Sequence, residues 1–188
     1  MTVGVTTPHA DALALLTDWI APTIQQKRLR EQYVEHLARH PDGLARTCLP
    51  DHLTASTLVL SPDGAEVLLT LHAKAGRWFQ FGGHVEPGDP TLAEAALREA
   101  VEESGLAGVS LDPDPVHLDV HAVPFCGGVG TGTRHLDVRF VAVADPRAET
   151  TKSDESSAVR WWPGDDLPSD EASLAELVRL ARSSLGGR

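Results

Sequence analysis

The chain has 188 residues and a formal net charge of -11, which suits one domain with an added element and excludes a polyanion-binding surface. Acidic excess repels nucleic-acid backbones and anionic membranes, so we expect neither as a partner. Hydrophobic residues make up 41% of the chain, enough for a packed core. The sequence also has two widely spaced cysteines, no basic and apolar leader and no long apolar run. We therefore expect a reduced, cytoplasmic protein without a membrane span.

Residues 1–50 are predicted to form a helical extension that precedes a main domain at residues 51–188. Pro22 should end or kink the first of two helices. Each helix has an apolar stripe, the first made by Leu13, Leu16, Ile20 and Ile24 and the second by Leu29, Tyr33 and Leu37. We expect both stripes to pack against the main domain, and a homodimer contact is the alternative.

From His52 onward the pattern is that of alternating strands and helices. Residues 53–60 and 65–71 predict a hairpin around a turn at 61–64, and a loop rich in Gly and Pro follows. Further strands are predicted at Val116–Val123, His135–Val143 and Val159–Trp162, with a closing helix at Ala172–Leu180. Strands on both sides of a central helix predict an α/β sheet covered on two faces.

That central helix, residues 91–104, is the most strongly predicted element of the chain. Thr91 followed by Glu94 is a capping box that fixes its start, and Gly105 stands where a C-cap glycine belongs. The apolar side that should face the core consists of Leu97, Ala100, Val101 and Leu106.

Three carboxylates share one face of this helix. Glu99, Glu102 and Glu103 are spaced i, i+3 and i+4, and like charges at this spacing repel. A hard divalent cation such as Mg²⁺ would offset the repulsion and keep positions open for substrate phosphates. A solvated acidic face is the alternative when these residues are considered alone.

The loop before the helix favours the metal interpretation. Paired glycines at Gly82-Gly83 allow backbone to approach a ligand closely. Together, the loop and helix resemble the Nudix box G-x5-E-x7-R-E-U-x-E-E-x-G-U, where U is a bulky aliphatic residue, in the form Gly83-x5-Asp89…Arg98-Glu99-Ala100-x-Glu102-Glu103-x-Gly105-Leu106. The resemblance in element order runs from about His52 to Leu180 and leaves residues 1–50 uncovered.

This resemblance implies a Nudix-like α/β/α sandwich with a mixed sheet. It implies an Mg²⁺-dependent hydrolase, with Mn²⁺ as a substitute, that cleaves a P–O–P linkage in a nucleoside diphosphate derivative or a similar small molecule. Glu102 and Glu103 would bind the metal, with Glu99 as a further ligand or as the base and the Gly82 carbonyl as another ligand. Arg98 would orient the glutamates by bidentate pairing.

The chain departs from the box pattern at three positions. The first acid is Asp89 instead of Glu, and eight residues instead of seven separate it from Arg98. Because the spacing from Thr91 to Arg98 is kept, the extra residue lies in the loop and the helix register is intact. These two departures leave open whether Asp89 supports the site as the family's first glutamate does. The third is Ala100, where a larger aliphatic residue is usual.

Several residues outside the box are candidates for the site. Glu155 precedes the last predicted strand and is a second candidate base, and Asp137 ranks below it. His84 directly follows the glycine pair and could contact a substrate phosphate. Trp78 and Phe81 could stack a base, with core packing as the equal alternative.

The histidines do not predict a zinc site. Five of them fall in the catalytic half of the chain without a tight ligand spacing: His72, His84, His117, His121 and His135. The glycine-rich stretch at 126–133 is interpreted as a mobile hairpin loop instead of a phosphate cradle, because it precedes a strand and not a helix.

Two other functions are compatible with the same fold. An isomerase of the isopentenyl diphosphate type would need a positioned protonating cysteine, and neither cysteine lies in the expected sequence setting. A non-catalytic ligand sensor would usually lose box acids, which this chain retains. Hydrolysis of a small diphosphate compound is therefore the function that the sequence favours.

Overall fold

The computed structural model describes residues 7–123, 126 and 132–186. In these residues the helices are α1 (Pro8–Asp18), α2 (Ile24–Arg39), α3 (Leu92–Ser104) and α4 (Ala172–Gly186). The strands are β1 (Asp51–Leu60), β2 (Glu66–His72), β3 (Arg77–Phe79), β4 (Phe81–His84), β5 (Ser110–Leu111), β6 (His117–Ala122), β7 (Arg134–Val143) and β8 (Ser156–Pro163). No helix in the described part of the chain is long and apolar enough to cross a membrane.

The strands form one mixed sheet with β1 at its centre. β1 runs parallel to β7 over its whole length and antiparallel to β2 and β4. The outer strands then pair antiparallel, β5 and β6 with β7, and β3 and β8 with β2. The predicted α/β sandwich with a mixed sheet is confirmed.

Alternate residues of β1 point to opposite faces of the sheet, and each face is covered by a different helix. On one face, Ala55 packs in a core cluster with Ala95 and Ala96 of α3. The hydroxyl of Thr57 on this face donates to the Ala96 carbonyl at 2.9 Å, so α3 lies close to the sheet. On the other face, Leu58 packs in a cluster with Leu177 of α4. These two sides of the sheet are the α3 face and the α4 face.

The two N-terminal helices add a second layer to the α3 face. Leu16 of α1 and Tyr33 of α2 are fully buried in the same cluster as Ala95 and Ala96. The Asp11 carboxylate accepts from the Leu92 amide at 3.3 Å, which gives one of the free amides at the start of α3 a partner. The first predicted stripe is wrong at Ile20 and Ile24, which are 90% and 56% exposed, because α1 already ends at Asp18 and Ile24 begins α2.

The open edge of the sheet at β6 is also covered by this layer. The Gln26 side chain accepts from the Leu118 amide at 2.6 Å and donates to the Leu118 carbonyl at 3.0 Å. The Tyr33 hydroxyl donates to the Asp119 carbonyl at 2.6 Å. These side chains replace a neighbouring strand and leave fewer unpaired backbone groups at the edge.

Two strand predictions and one helix prediction need correction. Part of the predicted loop after β2 is strand, β3 and β4, and residues 110–111 add the short strand β5. Helix α3 buries its alanine side, Ala95, Ala96 and Ala100, while Val101 is 40% exposed and Leu97 is only half-buried. The close approach of α3 to the sheet explains this choice, since small side chains must lie between them.

Candidate active site

Helix α3 begins and ends as its capping residues predict. The Thr91 hydroxyl accepts from the Glu94 amide at 3.1 Å, and Gly105 adopts a left-handed conformation with φ 67°. A β-carbon on Gly105 would also lie 2.8 Å from the Thr151 side chain, closer than such atoms pack. The helix is thus fixed at both ends, and its carboxylate face has a defined orientation.

Arg98 is the centre of the hydrogen-bond network on that face. Its Nη1 donates to Glu99 at 3.0 Å and to Glu102 at 3.1 Å, and its Nη2 donates to the His84 carbonyl at 3.0 Å. The predicted bidentate pairing is made with Asp89, with both contacts at 2.9 Å, and not with a glutamate. Arg98 therefore connects the helix acids, the end of β4 and the loop.

Asp89 occupies a buried position despite the inserted residue. The side chain accepts from the Glu86 amide at 2.8 Å as well as from Arg98. Burial alone would raise the pKa of Asp89, but the hydrogen bonds from Arg98 and Glu86 hold it below its ordinary value. The loop absorbs the extra residue, and the shorter aspartate still reaches the arginine.

Both glycines of the pair permit contacts that a side chain would block. A β-carbon on Gly82 would lie 2.2 Å from Cβ of Ser56, and one on Gly83 would lie 2.6 Å from Oε1 of Glu99. Gly82 lets β4 pair closely with β1, and Gly83 makes room for the Glu99 carboxylate against the strand. The backbone of β4 therefore forms one wall of the carboxylate site.

Two of the three helix carboxylates are strongly desolvated. Burial raises the pKa of Glu103 to about 8, and the charges of Glu99 and Glu155 add to the effect. Burial likewise raises the pKa of Glu99, against the lowering effect of Arg98. Glu102 remains more accessible, with 59% of its side chain exposed. One guanidinium does not neutralise this group of acids, so a divalent cation fits the donor set.

Gly82 also presents backbone to these acids. Its amide acts on the Glu103 carboxylate and lowers the pKa of that group. In a strand the N–H and C=O of one residue point to the same edge, so we expect the Gly82 carbonyl at the edge that faces Glu103. Its role as a metal ligand stays a prediction.

Glu155 lies in the turn before β8, and its side chain is exposed. Its carbonyl accepts from the Ala73 amide at 2.9 Å, and its charge acts on Glu103. Asp137, the weaker candidate base, is instead buried on the α4 face. It accepts from Thr54 at 2.9 Å and from Arg139 at 2.8 Å, which gives it a structural role and excludes it from the carboxylate site.

The three predicted substrate contacts have different surroundings. Phe81 is fully buried in a core cluster with Ala100 and Leu106. The prediction that its ring stacks a base is therefore wrong, and the ring packs in the core. Trp78 is half-buried and lies edge-on to Trp162, with ring centroids 5.2 Å apart. Trp78 also packs against the core cluster of Leu58 and Leu177 on the α4 face.

The His84 side chain is directed to the α4 face, away from the helix acids. It lies in a group with His52, Cys126 and His135 whose possible ligand atoms are all within 4.8 Å of one another. Burial lowers the pKa of His84 to about 4 and that of His135 to about 3. The fold thus brings together histidines that no tight sequence spacing joins, and the expectation that they bind no metal stays a prediction. No short sequence spacing signals this group, because its members come from four separate segments.

Comparison with known proteins identifies the family. The family model described as the NUDIX domain matches residues 50–181. An oxidized purine nucleoside triphosphate hydrolase of Danio rerio is 34% identical over 116 residues, which is 60% of this chain and 67% of the relative. The corresponding protein of Mus musculus is 33% identical over 116 residues, with the same shares of the two chains covered.

Solved structures support the same assignment. A NUDIX-family hydrolase from Clostridium perfringens has a TM-score of 0.55 and 25% identity, covering 72% of this chain and 96% of the other. An Ap4A hydrolase of C. elegans has a TM-score of 0.58 and 21% identity, covering 72% and 98% of the two chains, and shows the shared fold. The chain belongs to the Nudix family, and it is an enzyme of the pyrophosphohydrolase type.

Proposed function

We propose that this enzyme uses Mg²⁺ to hydrolyse a P–O–P linkage in a nucleoside diphosphate derivative or a similar small molecule. The observation that carries the proposal is the set of three glutamates on one face of α3 beside the Gly82-Gly83 backbone, two of which, Glu99 and Glu102, are held by Arg98. Burying carboxylates that repel one another is unfavourable, and a divalent cation bound between them would offset this cost.

Glu102, Glu103 and the Gly82 carbonyl would hold the metal, and Glu99 lies beside them. A bound Mg²⁺ supplies charge neutralisation for the diphosphate and acidifies a coordinated water. The bidentate pair with Asp89 holds Arg98 in one orientation, and Arg98 in turn holds Glu99 and Glu102. Catalysis of this kind depends on positioning and electrostatics instead of covalent intermediates.

Glu99 is the proposed general base. Its side chain is 16% exposed and is fixed by the helix, by Arg98 and by the space that Gly83 leaves. A base must stay within hydrogen-bond reach of the attacking water. Glu155 is exposed in a turn and meets that condition less reliably.

Nucleotides are the substrates to test first. The relatives from Danio rerio and Mus musculus are oxidized purine nucleoside triphosphate hydrolases, and the C. elegans protein with the same fold is an Ap4A hydrolase. Trp78, half-buried against the α4-face cluster, is the remaining aromatic candidate for stacking a base. Charge repulsion by the acidic surface also favours small substrates over polynucleotides.

The test is a double variant of the metal ligands. Glu102→Gln with Glu103→Gln should abolish calorimetric binding of Mn²⁺ and Mg²⁺-dependent product release from a panel of nucleoside diphosphate and triphosphate derivatives. Glu31→Gln with Glu35→Gln is the matched control, because it removes two exposed charges spaced i, i+4 on α2. Unchanged metal affinity in the first double variant would refute the proposed site.

A further inference from the structure

Four side chains from four segments meet at one end of the sheet on the α4 face. His52 is in β1, His84 ends β4, His135 is in β7, and Cys126 follows β6. Their ligand atoms all lie within 4.8 Å of one another. The parallel register of β1 and β7 places His52 directly beside His135, so the sheet itself brings the group together.

The distances within this group match those between the ligands of a tetrahedral zinc ion. With Zn–N near 2.0–2.1 Å and Zn–S near 2.3 Å, tetrahedral geometry separates two nitrogens by about 3.4 Å and a nitrogen from a sulfur by about 3.6 Å. The two Nε2 atoms of His52 and His84 are 3.2 Å apart. The Sγ of Cys126 is 3.7 Å from Nε2 of His52 and 3.5 Å from Nε2 of His84.

The orientation of the His52 imidazole also suits a metal ligand. The Nδ1 of His52 lies 3.0 Å from the Cys48 carbonyl, and since a carbonyl only accepts, Nδ1 carries the proton. The Nε2 of neutral His52 then directs a lone pair into the group. Such a backbone contact fixes the tautomer of metal-bound histidines.

His135 provides the independent observation. Its Nε2 is buried and has no hydrogen-bond partner among the described residues. A buried polar nitrogen without a partner is uncommon in folded proteins and points to an ion or water that binds there. Its ring centroid lies 5.0 Å from that of His52 and 4.9 Å from that of His84.

We propose that His52, His84, Cys126 and His135 bind a zinc ion in a closed, four-coordinate structural site. Three imidazoles and a thiolate are donors for zinc and not for magnesium. The site is separate from the carboxylates of α3, because His84 and Gly83 are consecutive in a strand and their α-carbon substituents point to opposite faces. It would join β1, β4 and β7 to Cys126 at one point.

The test uses Co²⁺ as a spectroscopic probe for zinc on the full-length, metal-free protein with excess Mg²⁺ present. One equivalent of Co²⁺ should give the intense visible bands of a tetrahedral ion and a thiolate-to-metal charge-transfer band. The chain has two cysteines, and both are buried. Cys48→Ser should therefore keep the charge-transfer band, and Cys126→Ser should lose it.

A second pair of variants tests the histidines. His135→Gln should weaken Co²⁺ affinity at least tenfold, whereas His121→Gln, its antiparallel register partner on β6, should bind as the wild type does. Zn²⁺ should raise the melting temperature of the wild type and of Cys48→Ser, but not of His135→Gln.

The double variant Glu102→Gln with Glu103→Gln separates this proposal from the proposed function, because it should keep the cobalt spectrum. Loss of the spectrum in that variant would assign the ion to the carboxylates and overturn the proposal. The absence of tetrahedral bands in the wild type, or loss of the charge-transfer band in Cys48→Ser, would also overturn it. If Cys126→Ser does not fold, Cys48→Ser still tests the assignment, because a charge-transfer band that persists without Cys48 must come from Cys126.

Discussion

Strand β4 separates two very different groups of ionisable side chains. Gly83 faces the oxygen donors of α3, while the next residue, His84, directs its ring to nitrogen and sulfur donors on the α4 face. The carboxylate group comes from one helix and is partly open, as Glu102 shows by its exposure. The histidine group comes from four segments, with His52 and Cys126 buried and His84 and His135 half-buried.

This difference is the one expected between the proposed catalytic site and the proposed structural one. Oxygen donors with an open side suit a labile cation that must also contact substrate. A closed set of nitrogen and sulfur donors suits an ion that stays bound. Arg98 connects the two regions, because its guanidinium holds the helix acids and also donates to the His84 carbonyl at 3.0 Å.

The largest expected effect on the α3 side is the loss of the base. Glu99→Gln should lower kcat about 10²–10⁴-fold, the usual range for a general base. Steady-state kinetics with any accepted substrate, at saturating Mg²⁺, measures this.

Glu155→Gln is the matched comparison, because Glu155 also acts electrostatically on Glu103. We expect a clearly smaller loss of kcat in this variant. If Glu155→Gln is the more damaging change while both variants keep their Mn²⁺ affinity, the turn residue is the base.

The second largest effect concerns helices α1 and α2, which form a second layer over the α3 face. The α4 face has no such second layer among the described residues. Leu16→Ala should destabilise the protein by about 2–5 kcal/mol, the usual loss for a fully buried leucine. Ile20→Ala should change the free energy of unfolding by less than about 0.5 kcal/mol, as expected at a 90% exposed position. Urea denaturation of both variants measures the difference. Equal stabilities would mean that α1 does not pack on the core in solution.

The carboxylate site could be predicted because its sequence signals are local. A capping box, a C-cap glycine and three glutamates at helical spacing all lie within residues 91–105. The histidine group could not be predicted in this way. Its members become neighbours only through the pairing of β1 with β4 and β7, which no short spacing reveals.

The missed strand and the misplaced stripe have physical causes as well. The Gly82-Gly83 pair is typical of a loop, yet the missing side chain is what allows β4 to lie against Ser56 of β1. In the first helix, the spacing continues through Ile20, but the chain leaves the helix after Asp18 and buries Trp19 instead. Tertiary packing decided both outcomes against the local pattern.

The third prediction concerns Asp89. Because one residue is inserted in the loop, the sequence left open whether Asp89 supports the site as the first glutamate of the Nudix box does. Asp89→Asn replaces one acceptor oxygen of the bidentate pair with a donor that faces Arg98. Because hydrogen bonds to charged groups contribute about 1.5–3 kcal/mol, kcat/KM should fall about 10- to 100-fold at 1.4 kcal/mol per factor of ten. Asp89→Glu, which restores the acid of the Nudix box, should retain more activity. A loss equal to that in Glu103→Gln would mean that Asp89 does more than position Arg98.

The smallest expected effect is the change in stability of Glu103→Gln. It tests whether repulsion among the carboxylates of the α3 face destabilises the metal-free protein. In metal-free protein, burial and the neighbouring acids raise the pKa of Glu103 to about 8, above the value of about 4.5 in the unfolded chain. Between these values the folded state binds more protons than the unfolded state, so this group lowers stability as the pH rises. Glutamine cannot ionise, and Glu103→Gln should therefore be the more stable protein at alkaline pH.

In chelator, the melting temperatures of wild type and Glu103→Gln should nearly coincide at about pH 5 and separate progressively towards about pH 9. We expect a gap on the order of 1–2 kcal/mol, less than the full shift in pKa would give, because water enters the site when the carboxylate ionises. The chelator also strips the histidine group, but equally in both proteins, so that effect cancels in the comparison. Mg²⁺ should then raise the melting temperature of the wild type and reverse the order of the two proteins, because a cation that binds only the folded state stabilises it. A gap that widens towards acid pH would show that Glu103 is stabilised by its neighbours instead of repelled by them, and the carboxylate face would then need no cation.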